Sequence, residues 1–168
     1  MKIEFYKYQG SGNDFIILDN RNHQYDFLDA NQVKKMCDRK FGIGADGLML
    51  MNAKEGYDFE MKYFNADGNA STMCGNGGRC MVKFAYNMGI HKYTYKFMAI
   101  DGEHEAEIDI HNIVRLKMCN VTHVEYHNGH AILNTGSPHF VKYVSDIMNV
   151  DVIESGRDIR EKIGRAHV

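Results

Sequence analysis

The chain has 168 residues, 20 Lys+Arg against 22 Asp+Glu, 44% hydrophobic and 25% charged residues, 16 Gly, one Pro, four Cys and no Trp. That length suits one ordinary domain, or one domain and part of another, and the composition excludes disorder and collagen-like structure. A net charge of −2 argues against a nucleic-acid partner held by a basic face, and no apolar run approaches the ~20 residues of a membrane span.

The polar start MKIEFYKYQ is not a signal peptide, so a cytoplasmic location with free thiols is expected. In chain order, Ile3–Phe5 and Phe15–Ile17 read as strands, separated by a loop over Gln9–Asp14. Asp29 suits a helix N-cap, with Val33, Met36, Cys37 and Phe41 at helical spacing and Gly42 as a stop. Gly47–Met51 and the alternating Phe59-Met61-Tyr63 read as strands. A second helix opens near Gly75, turns Cys80, Met81, Phe84, Ala85 and Met88 inward, and ends at Gly89. So apolar a helix in a strand-rich chain predicts a helix wrapped by sheet. Beyond Tyr93 the pattern is nearly all β. Asp101-Gly102 and Asn128-Gly129 signal hairpin turns, Ala106, Ile108 and Ile110 share one strand face, and Val114, Leu116 and Met118 share the next after a turn at His111-Asn112. No short internal repeat is evident.

Chemistry concentrates in two stretches, Phe64-Asn65-Ala66-Asp67-Gly68 and Met73-Cys74-Gly75-Asn76-Gly77-Gly78-Arg79-Cys80. Cys74 falls just before a helix, where free backbone N–H groups and the helix dipole favour a thiolate, a base or nucleophile. The glycines at 75, 77 and 78 would let a carboxylate or phosphate approach the same backbone. The alternative for Cys74 is a small buried residue in a Gly-rich turn, and for Cys80 a core thiol is the better reading. Asn13 and Asn65 at strand ends offer a donor and an acceptor each, suited to a zwitterion or to ordinary turn chemistry. Gly42-Ile43-Gly44-Ala45-Asp46-Gly47 lacks the Lys-Ser/Thr of a phosphate loop. His123, His127 and His130 flank a hairpin turn and read as exposed rather than metal-binding, and the cysteine spacings match no zinc pattern. His139, after Gly136-Ser137-Pro138, is either a base, a group that tunes a thiol, or a loop cap.

Five segments together resemble the diaminopimelate epimerase family: Gly10–Phe15, Gly42–Gly47, Phe64–Gly68, Cys74–Cys80 and Gly136–His139. They stand in the family's order and cover residues 1 to about 161. The resemblance implies an α+β fold, a curled mixed or antiparallel sheet around a central helix, with a partial second lobe. It implies residues 1–118 as the N-terminal lobe, 119–162 as the opening strands of an incomplete C-terminal lobe, and 163–168 as a non-native tail. The implied activity is isomerisation of LL- and meso-diaminopimelate, for lysine and peptidoglycan synthesis, by two cysteines and no cofactor. One thiolate takes the α-proton and the other thiol delivers a proton to the opposite face. Cys74 matches one catalytic cysteine, and Asn13, Asn65, Gly75 and Asn76 match substrate contacts. His139 matches a residue that influences thiol ionisation. A small-molecule substrate, no metal, no nucleic acid, no membrane and a homodimeric full-length protein complete the expectation.

Gly47 stands where some members carry a substrate-contacting Gln, and Ser137 where some carry Asn. The Cys-Gly-Ser-Gly-type motif of the second catalytic cysteine is absent from these 168 residues, as is the Glu-Arg pair that holds the α-carboxylate. The final Ile163-Gly164-Arg165-Ala166-His167-Val168 matches one frame of a sequencing adapter, so a longer natural protein and an inactive fragment are expected. Other readings are a proline-racemase-like isomerase and a non-catalytic half-lobe.

Overall fold

The computed structural model describes residues 2–163; of the expected tail over 163–168, all but Ile163 lies outside the described residues. Backbone contacts divide the chain into two compact units, one up to Cys119 and one from Asn120 onward. The first unit holds strands β1 (Tyr6–Gly10), β2 (Asn13–Asp19), β3 (Gly47–Asn52), β4 (Phe59–Asn65), β5 (Thr94–Ala99), β6 (Gly102–Ile108) and β7 (Val114–Leu116). It also holds helices α1 (Ala30–Cys37) and α2 (Gly75–Asn87). The strands form one seven-stranded sheet in sequential order. All pairs are antiparallel except β2·β3 and β4·β5. Those two need crossovers, and α1 and α2 supply them.

Helix α2 touches strands at both sheet edges, β1 and β7, and β2, β3, β4 and β6 between them. The sheet therefore curls around the helix. The α2-facing core joins Phe15, Ile17, Met49, Met51, Phe59, Met81, Phe84 and Phe97, while α1 covers the reverse face through Val33 and Cys37 against Ile16, Leu18, Leu48 and Leu50. Double coverage explains the strand patterns. β3 and the centre of β2 are buried on both faces and read as unbroken apolar runs, whereas β6 alternates because only one face is covered.

Several boundaries differ from the sequence expectation. Residues 2–5 form no strand, and β1 begins at Tyr6. The expected loop Gln9–Asp14 shrinks to Ser11-Gly12, which take φ of 55° and 83° in a two-residue hairpin turn. Asn13 therefore opens a strand. Asp29 caps α1 with a reciprocal Gln32 bond, but the helix stops at Cys37 because the Asp38 carboxylate accepts the Lys40 and Phe41 N–H groups. Phe41 is left 92% exposed. The β5–β6 turn centres on Ile100-Asp101, since Ala99 pairs with Gly102. Ile110 lies beyond the end of β6 and is exposed.

The second unit is a three-stranded antiparallel sheet of β8 (Val124–His127), β9 (His130–Asn134) and β10 (Pro138–Lys142), in the order β10-β9-β8, followed by α3 (Val152–Ile163). Asn128-Gly129 makes the expected turn, both at positive φ. None of this unit's residues with described burial is buried, and Tyr126, Tyr143, Ile147 and Met148 are exposed. Among its described residues the unit has strands without a core.

Candidate active site

Strand register assembles the first unit's candidate residues. Phe15 pairs with Gly47 and Gly47 with Asn65, forming a row across β2, β3 and β4. Period-two alternation puts Asn13 on the face of Phe15, and Tyr63 on that of Asn65. Phe15, Met49, Met61 and Tyr63 all belong to the core that α2 packs against, so this row lies at one end of the concave face.

The amino end of α2 meets that row. Cys74 is the helix N-cap, in extended conformation and half-buried. Its Sγ accepts the Gly77 N–H at 3.5 Å and donates to Asn13 Oδ1 at 3.6 Å. The Gly75 and Asn76 N–H groups lie in the first turn, where no intrahelical acceptor exists. An anionic group set there would meet two backbone donors and the positive end of the helix dipole. The Asn76 Oδ1 accepts from the Arg79 guanidinium.

The glycines after Gly75 have another role than the one expected. A Cβ at Gly77 would come within 3.1 Å of Met49 Sδ, and one at Gly78 within 2.7 Å of Met73 Cε and 2.9 Å of Leu116 Cδ2. Both are buried. They let α2 approach the sheet, and ligand access is left to Gly75 and Asn76.

A charged network stands behind Asn13. Its Nδ2 donates to Asp46 Oδ2 at 2.6 Å, and the Asp14 N–H donates to the same oxygen at 3.1 Å. Asp46 thus orients the Asn13 amide, leaving its carbonyl for Cys74. Arg39 bridges Asp14 Oδ1 at 2.7 Å and Asp46 Oδ1 at 2.8 Å, while Lys7 pairs with Asp14 at 2.8 Å. The Arg39 guanidinium holds the Asp14 carboxyl well below the usual carboxylate range, with Lys7 assisting.

The sequence marks Tyr63 only as an alternating strand residue, and Arg39 and Asp46 not as individual site positions. Strand alternation puts Tyr63 on the face of Asn65, but nothing in the sequence says how its ring leans. Its ring meets Phe15 edge-on at 5.8 Å. Burial pushes its phenol up to about 12, with contributions from Cys74 and Asp46. The ring also explains Gly47, whose Cβ would lie 2.4 Å from Tyr63 Cε2 and 2.5 Å from the Phe64 carbonyl oxygen. The Tyr63 ring therefore fills the space that a side chain at position 47 would need.

The other thiols divide by burial. Cys37 and Cys80 are buried, and burial pushes each up to about 11. Cys119 is exposed. Ser137 and His139 belong to the second unit, where His139 is exposed and its Nε2 meets Thr135 Oγ1 at 2.9 Å. His123 and His127 flank Glu125 at 3.9 and 3.5 Å, and His130 stacks on Phe140.

Solved structures show the class of fold. A phenazine biosynthesis protein of the PhzF family from Bacillus anthracis superposes with a TM-score of 0.69 at 15% identity, covering 95% of this chain and 64% of that one. A probable proline racemase from Agrobacterium radiobacter K84, solved with bound carbonate, gives 0.68 at 13% identity, covering 98% and 61%. At such identities the likeness is one of fold: a lobe of sheet curled round a helix, as in these PhzF and proline-racemase-like proteins.

Sequence comparison narrows the class. A family model described as diaminopimelate epimerase matches residues 5–124, and the chain belongs to the diaminopimelate epimerase family. Curated diaminopimelate epimerases from Flavobacterium psychrophilum and Chlorobaculum tepidum are 49% and 43% identical over 158 and 160 residues. These alignments cover 94% and 90% of this chain but only 62% and 61% of the relatives.

Proposed function

We propose that the protein this chain belongs to is a diaminopimelate epimerase, interconverting LL- and meso-diaminopimelate in lysine and peptidoglycan synthesis without a cofactor. The observation that carries this is Cys74 at the α2 N-terminus, bonded to Asn13 and set at the sheet end that bears Asn65, in a chain of this family. In this reading residues 1–118 are the N-terminal lobe, 119–162 open the C-terminal lobe, and 163–168 are a non-native tail. The Cys74 thiolate removes the α-proton from one face of the substrate, and a thiol of the second lobe protonates the other. A substrate carboxylate bound by the Gly75 and Asn76 N–H groups would spread the negative charge that develops as the C–H bond breaks. Exclusion of water between closing lobes strengthens that stabilisation. Asn13 and Asn65 hold polar groups of the substrate, Ser137 supplies a weaker contact than asparagine would, and Gly47 offers only backbone. His139 adjusts thiol ionisation. The working enzyme is cytoplasmic and homodimeric, and it has neither nucleic-acid nor membrane partners.

The test is exchange of the α-proton into deuterated water, with diaminopimelate and with proline, for the 168-residue chain and for a version extended through a second lobe. The extended protein should exchange diaminopimelate and not proline, and Cys74→Ser should abolish exchange. Exchange of proline alone would favour the racemase reading. No exchange on either substrate would reject both. Full activity of the short chain would show that Cys74 needs no partner from a second lobe.

A further inference from the structure

The β5–β6 hairpin brings together three metal-ligating side chains that lie far from the Cys74 site in sequence. Asp101 sits in the turn and His104 two residues into β6, so the pair spans one tight hairpin end. The third comes from the chain leaving β7. β6 and β7 pair with Ala106 opposite Leu116, and the Lys117 N–H still donates to the Glu105 carbonyl. That register carries Cys119 back to the turn. The ligand atoms of Asp101, His104 and Cys119 all lie within 4.8 Å of one another.

We propose that Asp101, His104 and Cys119 form a binding site for a borderline-soft divalent cation, zinc above all. His104 is 3% exposed, its ring is stacked on Phe97 at 5.4 Å and 25°, and its Nε2 meets Asp101 Oδ1 at 2.8 Å. The Cys119 Sγ lies 3.8 Å from Asp101 Oδ2. Bond lengths of ~2.0–2.3 Å in a tetrahedral zinc site set ligand atoms ~3.3–3.5 Å apart. The present spacings of 2.8 and 3.8 Å, with every ligand atom within 4.8 Å of the others, bracket those values. One thiolate, one imidazole and one carboxylate select zinc or a similar cation over magnesium or calcium, which prefer oxygen alone. Binding forms an Sγ–metal bond and releases the thiol proton to solvent. Three protein ligands leave the fourth position to water.

The site differs from an ordinary surface cluster in that one ligand is buried and clamped by an aromatic ring. Its effect is a staple: the metal ties the end of the β5–β6 hairpin to the segment on which the chain leaves the first unit. Neither the site nor its test depends on epimerase activity.

The experiment uses the metal-free, reduced 168-residue chain. Titration with Co2+ should give a near-ultraviolet thiolate-to-cobalt band saturating at one equivalent, and Zn2+ should bleach it. Competition against a chromophoric chelator should show Cys119→Ser and Asp101→Asn weakening zinc at least ~10-fold, on the scale of lost coordination-sphere contacts. Cys119 is exposed, and Asp101→Asn keeps a side chain that can still bond His104, so these variants spare the fold more than a change of the buried His104 would. The band should survive Cys74→Ser. A band that survives Cys119→Ser, or none at millimolar Co2+, overturns the proposal, as does zinc affinity unchanged in both variants.

Discussion

Gly47→Ala tests whether Tyr63 occupies the space that a side chain at position 47 would need. In an ordinary strand this change is favourable by ~0.5–1 kcal/mol, because glycine loses more backbone freedom on folding than alanine. Here the added Cβ would sit 2.4 Å from Tyr63 Cε2, 3.0 Å from its hydroxyl and 2.5 Å from the Phe64 carbonyl oxygen. The ring can swing away only by giving up its edge contact with Phe15. The carbonyl belongs to β4, which is paired with β3 along its length, so it cannot. Overpacking of this kind costs ~1–3 kcal/mol, which reverses the usual sign. Urea denaturation of the 168-residue chain should therefore show a loss of ~2 kcal/mol, and a melting temperature lower by on the order of 5–10 °C. Gly47→Gln should be at least as damaging. Tyr63→Ala should soften the Gly47→Ala penalty by removing the ring, yet leave part of it, since the carbonyl contact persists. A Gly47→Ala variant as stable as the parent, or more so, would refute the steric account.

Other expectations follow from the same site. Asn13→Ala and Asp46→Ala should be non-additive, with a coupling of ~1 kcal/mol in a double-mutant denaturation cycle, because Asp46 acts on Asn13 through one short hydrogen bond. Alkylation of the native chain at pH 8, mapped by mass spectrometry, should label Cys119 and Cys74 and spare Cys37 and Cys80 until denaturant is added, since burial raises the last two to about 11. The Asp14 carboxyl is depressed in the folded state, so its contribution is complete above the unfolded carboxylate range near 4 and is lost as pH falls through the lower folded value. Asp14→Asn should remove ~1 kcal/mol at pH 7 and flatten the acid limb of the stability profile.

Much of the first unit was legible from residue order because its signals are local. The Asp29 cap needs only Gln32 three residues on, and the inward stripe of α2 needs only helical spacing; in the second unit the Asn128-Gly129 turn likewise needs only two positive φ angles. The loop expected over Gln9–Asp14 failed because glycine-rich sequence suits a wide loop and a tight hairpin equally. Pairing with a neighbouring strand selects between them. Phe41 and Ile110 continue apolar patterns beyond the ends of their elements, and where an element stops depends on capping and pairing partners. Ordered motifs made Cys74, Asn13 and Asn65 candidates, but not the partners that orient them.

Length and composition, together with local periodicity and motif order, determined an α+β chain of the diaminopimelate epimerase family with one conspicuous thiol at a helix start. Tertiary structure decided what no spacing contains. It put Asn13, Gly47, Asn65 and Tyr63 at one end of the concave sheet, because parallel and antiparallel registers across β2, β3 and β4 align Phe15, Gly47 and Asn65 in one row. It gave Gly77 and Gly78 to helix–sheet packing, and it brought Asp101, His104 and Cys119 within reach of one ion. Side-chain neighbours across a sheet are set by register, and register is a property of the assembled strands, which no single segment carries.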